Sequence, residues 1–291
     1  MEQLSSPLHG VLIPCCLLIA GISIVNTAYA PHGLALAVAL AAFKFYRGRP
    51  KRVLTTSFQE FELLERVDLG SGVLLKFKLD DSSYLGSPIG HAIDMRLGPL
   101  SSANDKTLSY VPITTDLDRG YFELVVRPGD PGASLQEHQV GWFRLSPEVP
   151  RFSYEPNMGH LALVIAPGQG PQDPHPVCIA LQIINLVVRT PDDLTFLSVY
   201  CYSNSPYRED VLMSEDLDEV AQKYPRMELH YIGDFLQQGY ACSNTLTNAH
   251  VDTIAKADKV VYIGNNSSKD LDRLTAVGSV IAITPINQPL S

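Results

Sequence analysis

Between Glu2 and Lys44 the chain carries no Asp, Glu, Lys or Arg, and a charge-free tract of that length has few stable fates in water. Within it, the 20 residues from Val11 to Ala30 are long enough to cross a hydrocarbon core as a helix. A second apolar stretch, Leu34 to Phe43, follows Pro31-His32-Gly33 and is too short to span alone. Five cations then arrive within nine residues: Lys44, Arg47, Arg49, Lys51 and Arg52. Positive charge beside an apolar segment stays on the cytosolic side, so the sequence predicts a membrane anchor over residues 1–52 with the remainder cytosolic. A cleaved signal peptide is the alternative, because Ala28-Tyr29-Ala30 resembles a small-residue cleavage site. Against it stand the missing positive n-region and Pro31 just after the cut. A two-part apolar anchor without Arg-rich amphipathic character favours the endoplasmic reticulum over the mitochondrial outer membrane.

Beyond residue 52 the chain holds 17 basic and 30 acidic side chains, a net charge of −13. That excess argues against nucleic acid as a partner, since phosphate neutralisation requires clustered Lys and Arg. The five cysteines lack C-x-x-C spacing and imply neither a disulfide framework nor a zinc site. His91, His160, His175, His230 and His250 show no metal-ligand spacing, and no G-x-S-x-G turn is present.

Residues 53–155 read as short strands separated by Gly, Pro and Asp clusters, which predicts a small antiparallel barrel. Gly72 to Leu79, His91 to Leu97 and Tyr121 to Arg127 are its clearest strands. Over residues 156–291 the rhythm changes. Leu161 to Ala166 is a continuous apolar run, as in a strand buried on both faces. A helix is expected over Val177 to Arg189, a strand over Thr195 to Tyr202, and an acidic amphipathic segment over Glu209 to Lys223. Further strands follow at Met227 to Ile232, Lys259 to Ile263 and Val280 to Ile283. Alternating strands and helices predict a parallel α/β lobe, whose ligands sit beyond the carboxyl ends of its strands. The loops after Ala166 and Ile263 are therefore the places to look for chemistry.

Several short motifs, taken in order, resemble those of NADH–cytochrome b5 reductase. Phe58 to Leu63 resembles the family's opening segment, and Leu85-Gly86-Ser87-Pro88-Ile89-Gly90-His91 its L-G-x-P-x-G turn. Ser109-Tyr110-Val111-Pro112-Ile113-Thr114 falls where the flavin motif belongs, and Gly120 to Arg127 matches the strand after it. Pro191 to Thr195 and Arg208 to Leu212 match landmarks of the nucleotide lobe. The resemblance implies a transmembrane anchor, an FAD-type antiparallel β-barrel domain and an NAD-binding-like α/β parallel-sheet lobe. It also implies FAD and NADH as cofactors, and cytochrome b5 or a membrane oxygenase as electron partner. Carried over residue by residue, the cofactor-binding candidates are Tyr110, Pro112, Thr114, Arg127, Gly168 and Gly170; no catalytic residue is identified.

The departures are concentrated where cofactor phosphates would lie. The family sets an Arg against the FAD pyrophosphate, a charge-assisted contact; here that position is Leu108. Val111 replaces the Thr or Ser beside the reactive flavin nitrogen and offers neither donor nor acceptor. Arg127 preserves a positive charge where the family usually has Lys, whereas Gly132-Ala133-Ser134 lacks the Lys of the second phosphate segment. The nucleotide loop resembles Pro167-Gly168-Gln169-Gly170-Pro171-Gln172-Asp173-Pro174, in which prolines remove amides and Asp173 adds a negative charge. The family's C-G-P-P motif reads Ile263-Gly264-Asn265-Asn266. Tyr110 also reads as a barrel core residue, Arg127 as a surface cation at a strand end, and Gly168 and Gly170 as turn formers. The expectation is a reductase-like chain kept as a non-catalytic or accessory member of an oxidative, lipid or specialised metabolic pathway. The alternative is an active FAD-dependent NADH oxidoreductase.

Overall fold

The computed structural model describes residues 50–98, 107–147, 152–166, 173–202, 211–232, 246–264 and 269–283, with scattered positions before residue 43. Most of the expected anchor over residues 1–52, the glycines at 168 and 170, and Asn265-Asn266 lie outside the described residues. Among the described residues no helix is long and apolar enough to cross a membrane. The chain divides into Met1–Lys51 and Arg52–Ser291, and the description below concerns the second unit.

Six strands, β1 (Gln59–Asp68), β2 (Val73–Lys78), β3 (Ile93–Arg96), β4 (Leu108–Tyr110), β5 (Tyr121–Val126) and β6 (Val140–Leu145), form an antiparallel sheet. Its order is β4-β3-β6-β1-β2-β5. The sheet curls until its two edges meet, through a bridge between Pro112 and Leu124 and a bond from Ile113 N to Glu123 O. Strand β2 alternates strictly, with Val73, Leu75 and Phe77 turned inward. Inside, Phe61, Phe77, Phe122 and Phe143 form one aromatic cluster: Phe77 and Phe122 stack at 5.1 Å, and Phe143 meets both edge-on. The β1–β2 turn is set by Asp68, whose carboxylate accepts the Gly70 amide at 2.9 Å.

The second sheet is parallel and consists of β7 (His160–Ile165), β8 (Phe196–Tyr202), β9 (Met227–Ile232), β10 (Lys259–Ile263) and β11 (Val280–Ile283). Helices α1 (His175–Arg189), α2 (Ser214–Lys223), α3 (Asn248–Ile254) and α4 (Lys269–Val277) cover it. Its order, β9-β8-β7-β10-β11, reverses between β7 and β10, and in lobes of this kind a ligand sits beyond the carboxyl ends of the strands at such a switch. Central β7 divides two cores. Leu161, Leu163 and Ile165 join the cluster containing α1, whereas Ala162 and Val164 join the one containing α3 and α4. Helix α1 is apolar nearly all round because both its sides are covered, one by β7 and the other by barrel residues Ala92, Val111, Ile113 and Val125.

Candidate functional site

The site lies where the N-terminus of α1, just past β7, meets barrel strand β4. Tyr110 ends β4, and only 1 % of it is exposed. The His175 ring lies 6.5 Å from its ring at an interplanar angle of 25°. Gly132, in the 3-10 turn Pro131–Ser134, packs under its hydroxyl. That hydroxyl has no hydrogen-bond partner among the described residues. Burial pushes its ionisation far up, with the Asp130 carboxylate adding and the Arg127 guanidinium opposing.

Val111 is 2 % exposed and belongs to the core shared with α1. Pro112 makes the bridge that closes the barrel. Thr114 is buried; its hydroxyl accepts the Glu123 amide at 3.4 Å and its carbonyl accepts Gln182 Nε2 at 3.3 Å. Arg127 is half-buried, with Nε 4.0 Å from the Asp130 carboxylate and no hydrogen-bond partner among the described residues. The structure therefore brings Tyr110 and Arg127 into one neighbourhood, beside Gly132. It places Pro112 and Thr114 in the barrel closure.

Asp173 and His175 are the residues that sequence spacing alone did not pair. Each side chain is 4 % exposed, and His175 Nδ1 lies 2.6 Å from Asp173 Oδ1. The same carboxylate oxygen accepts the His175 backbone amide at 3.2 Å, which supplies an acceptor to the first turn of α1. His175 Nε2 faces the Ser109 carbonyl at 3.2 Å, one residue before Tyr110. The sequence signal was the short Asp-Pro-His run; its meaning depends on Ser109, a residue 66 positions away.

Two further clamps hold α1 to the barrel. Gln182, 1 % exposed, accepts the Gly90 amide at 2.8 Å while donating to Thr114 O. Arg189, in the last turn of α1, donates to the Asp118 carboxylate and to Leu117 O. At β4, Asp94 accepts from Ser109 Oγ at 2.8 Å and Arg144 Nε at 2.9 Å, so its buried charge is paired.

The described residues do not fit FAD as the family holds it. A flavin needs an open aromatic face, and Tyr110 has none. Beside it stand Leu108 and Val111 where cationic and hydroxyl donors would serve. The first turn of α1 already holds a carboxylate, and Pro174 and Pro176 there carry no N–H.

No protein-family model matches the chain. An NADH–cytochrome b5 reductase 1 of Pyricularia oryzae is 32% identical over 249 residues, covering 79% of this chain and 76% of that protein. A plasma membrane-associated coenzyme Q reductase of Saccharomyces cerevisiae is 28% identical over 244 residues, covering 79% and 74%. Among solved structures, the cytochrome b5 reductase domain of Ulva prolifera nitrate reductase superposes with a TM-score of 0.62 at 18% identity. It covers 80% of this chain and 100% of that one. These likenesses carry the ferredoxin-reductase-type fold, with its curled antiparallel sheet beside a parallel α/β sheet.

Proposed function

Because the chain belongs to the NADH–cytochrome b5 reductase family, we propose that it is a reductase-fold accessory protein that performs no flavin chemistry itself. In this reading it is tethered to the endoplasmic reticulum membrane by residues 1–52 and serves an oxidative, lipid or specialised metabolic pathway from the cytosolic side. The observation that carries the reading is the burial of Tyr110 under Gly132 and His175, which leaves no ring face for an isoalloxazine. The acidic balance beyond residue 52 supports it, because an acidic electron acceptor would be repelled rather than steered in.

The absorbance spectrum of the full chain, purified in detergent, tests this directly. A colourless, folded preparation that takes up no added FAD is expected. A yellow preparation bleached by NADH overturns the reading and establishes the second one, an active FAD-dependent NADH oxidoreductase passing electrons to cytochrome b5 or a haem oxygenase. One observation favours that second reading: the Tyr110 hydroxyl and Arg127 Nε are buried and have no hydrogen-bond partner among the described residues. The tether is tested with a C-terminal reporter in intact microsomes. Protease must reach it; protection would reverse the orientation.

A further inference from the structure

The N-terminus of a long helix attracts anions, because its first amides have no partner within the helix and its dipole is positive there. Helix α1 has 15 residues and follows the central strand at the switch in strand order, the position at which an α/β lobe receives a phosphate-bearing ligand. In this chain the anion at that position belongs to the protein. Asp173 Oδ1 takes the first free amide of α1 and holds the His175 imidazole at 2.6 Å. The imidazole in turn reaches across to Ser109 O and lies over Tyr110. Both side chains of the pair are almost wholly buried.

We propose that Asp173 and His175 form a built-in stand-in for a bound phosphate, which satisfies the α1 N-terminus and latches the nucleotide lobe to the barrel without a dinucleotide. A phosphate arriving there would meet a buried carboxylate at hydrogen-bonding distance from the donors it needs. Two of the residues that could have offered amides, at 174 and 176, are prolines. The inference rests on the non-flavin reading for its biological sense, yet it concerns the nucleotide lobe and stands on separate contacts. The pair is thus an autoinhibitory contact towards NAD(H), distinct from the covered face of Tyr110.

Chemical rescue tests it. Asp173→Ala in the full chain removes the internal anion and leaves the amide and imidazole facing a gap. Thermal unfolding is followed in tens of millimolar inorganic phosphate and in chloride of equal ionic strength, since an anion that binds only the folded state raises its midpoint. The wild-type midpoint should be the same in both salts. That of Asp173→Ala should fall by several degrees in chloride and regain part of the loss in phosphate. Should Asp173→Ala fail to fold, Asp173→Ser, which shortens the side chain, removes the charge and still leaves a gap, carries the same comparison. Equal midpoints in the two salts for the variant, or equal phosphate stabilisation of wild type and variant, overturn the proposal. A yellow wild-type preparation together with phosphate rescue would sink the functional reading and leave the stand-in intact. A colourless preparation without rescue would do the reverse.

Discussion

The backbone at Gly132 lies so close beneath Tyr110 that a Cβ there would stand 2.8 Å from the phenol oxygen and 3.4 Å from Cζ. The tyrosine is fully buried and has no room to retreat. Gly132→Ala is therefore expected to cost about 1–3 kcal/mol through overpacking. Tyr110→Phe removes a buried hydroxyl that has no hydrogen-bond partner among the described residues, so alone it should cost little. Combined with Gly132→Ala it should recover part of the loss, because the colliding oxygen has gone. A double-mutant cycle from urea unfolding reads the coupling, and strict additivity would refute the contact.

Much of the parallel α/β lobe was legible because its strands are buried on both faces and therefore read as unbroken apolar runs. Met227–Ile232 and Lys259–Ile263 match their expected bounds, and α1 begins only two residues before Val177. The barrel was less legible. Strand Val140–Leu145 escaped notice because one of its two inward residues is Gly141, over which the Phe143 ring folds back: a Cβ at 141 would lie 2.7 Å from that ring. Alternation is invisible where the inward residue has no side chain. Within the acidic segment expected over Glu209 to Lys223, the described part begins at Val211 and its helix at Ser214, after Met213 takes a left-handed backbone with φ 58°. At the site, the sequence marked Asp173 as an unfavourable charge near a phosphate. That this charge was already paired could not be read locally, since the pair is completed by Ser109 on a strand of the other sheet.

Gln182 is the polar rivet between the two sheets. Its amide satisfies Gly90 N–H and Thr114 C=O together. Gln182→Leu keeps the volume but strands both backbone groups. The expected cost is about 1–3 kcal/mol for each group left unpaired. Limited proteolysis should also become faster in the variant, because the lobes lose a fixed contact. An unchanged urea midpoint would show that water or a neighbour takes over both bonds.

Both described cysteines should behave as inert core residues. Burial pushes the Cys201 thiol up to about 12, and burial together with the Asp173 charge raises Cys178 as well. The thiolate is the reactive form, so neither site should alkylate in the native protein at about pH 8. Both should react fully in denaturant. Site-resolved mass spectrometry after iodoacetamide treatment separates them from the other cysteines. Rapid native labelling of Cys178 would mean that α1 detaches from the barrel in solution.

His250 gives the parallel α/β lobe a defined pH response. It sits third in α3 within a capping box: Thr247 Oγ1 accepts the His250 amide, and His250 Nδ1 accepts the Thr247 amide. Burial first, and the neighbouring His230 second, hold its ionisation below the ordinary histidine value. Protonation would also remove the acceptor at Nδ1. With the folded value below the unfolded one, the unfolded chain binds more protons across the window, so stability rises with pH there. The contribution is fully present above about 6.5, the ordinary value, and is lost as pH falls through the depressed folded value. His250→Gln keeps the capping acceptor and cannot titrate. The urea midpoint of the wild type should therefore drop more steeply than that of His250→Gln as pH falls below neutrality. Parallel slopes for the two proteins would show that His250 does not carry the response.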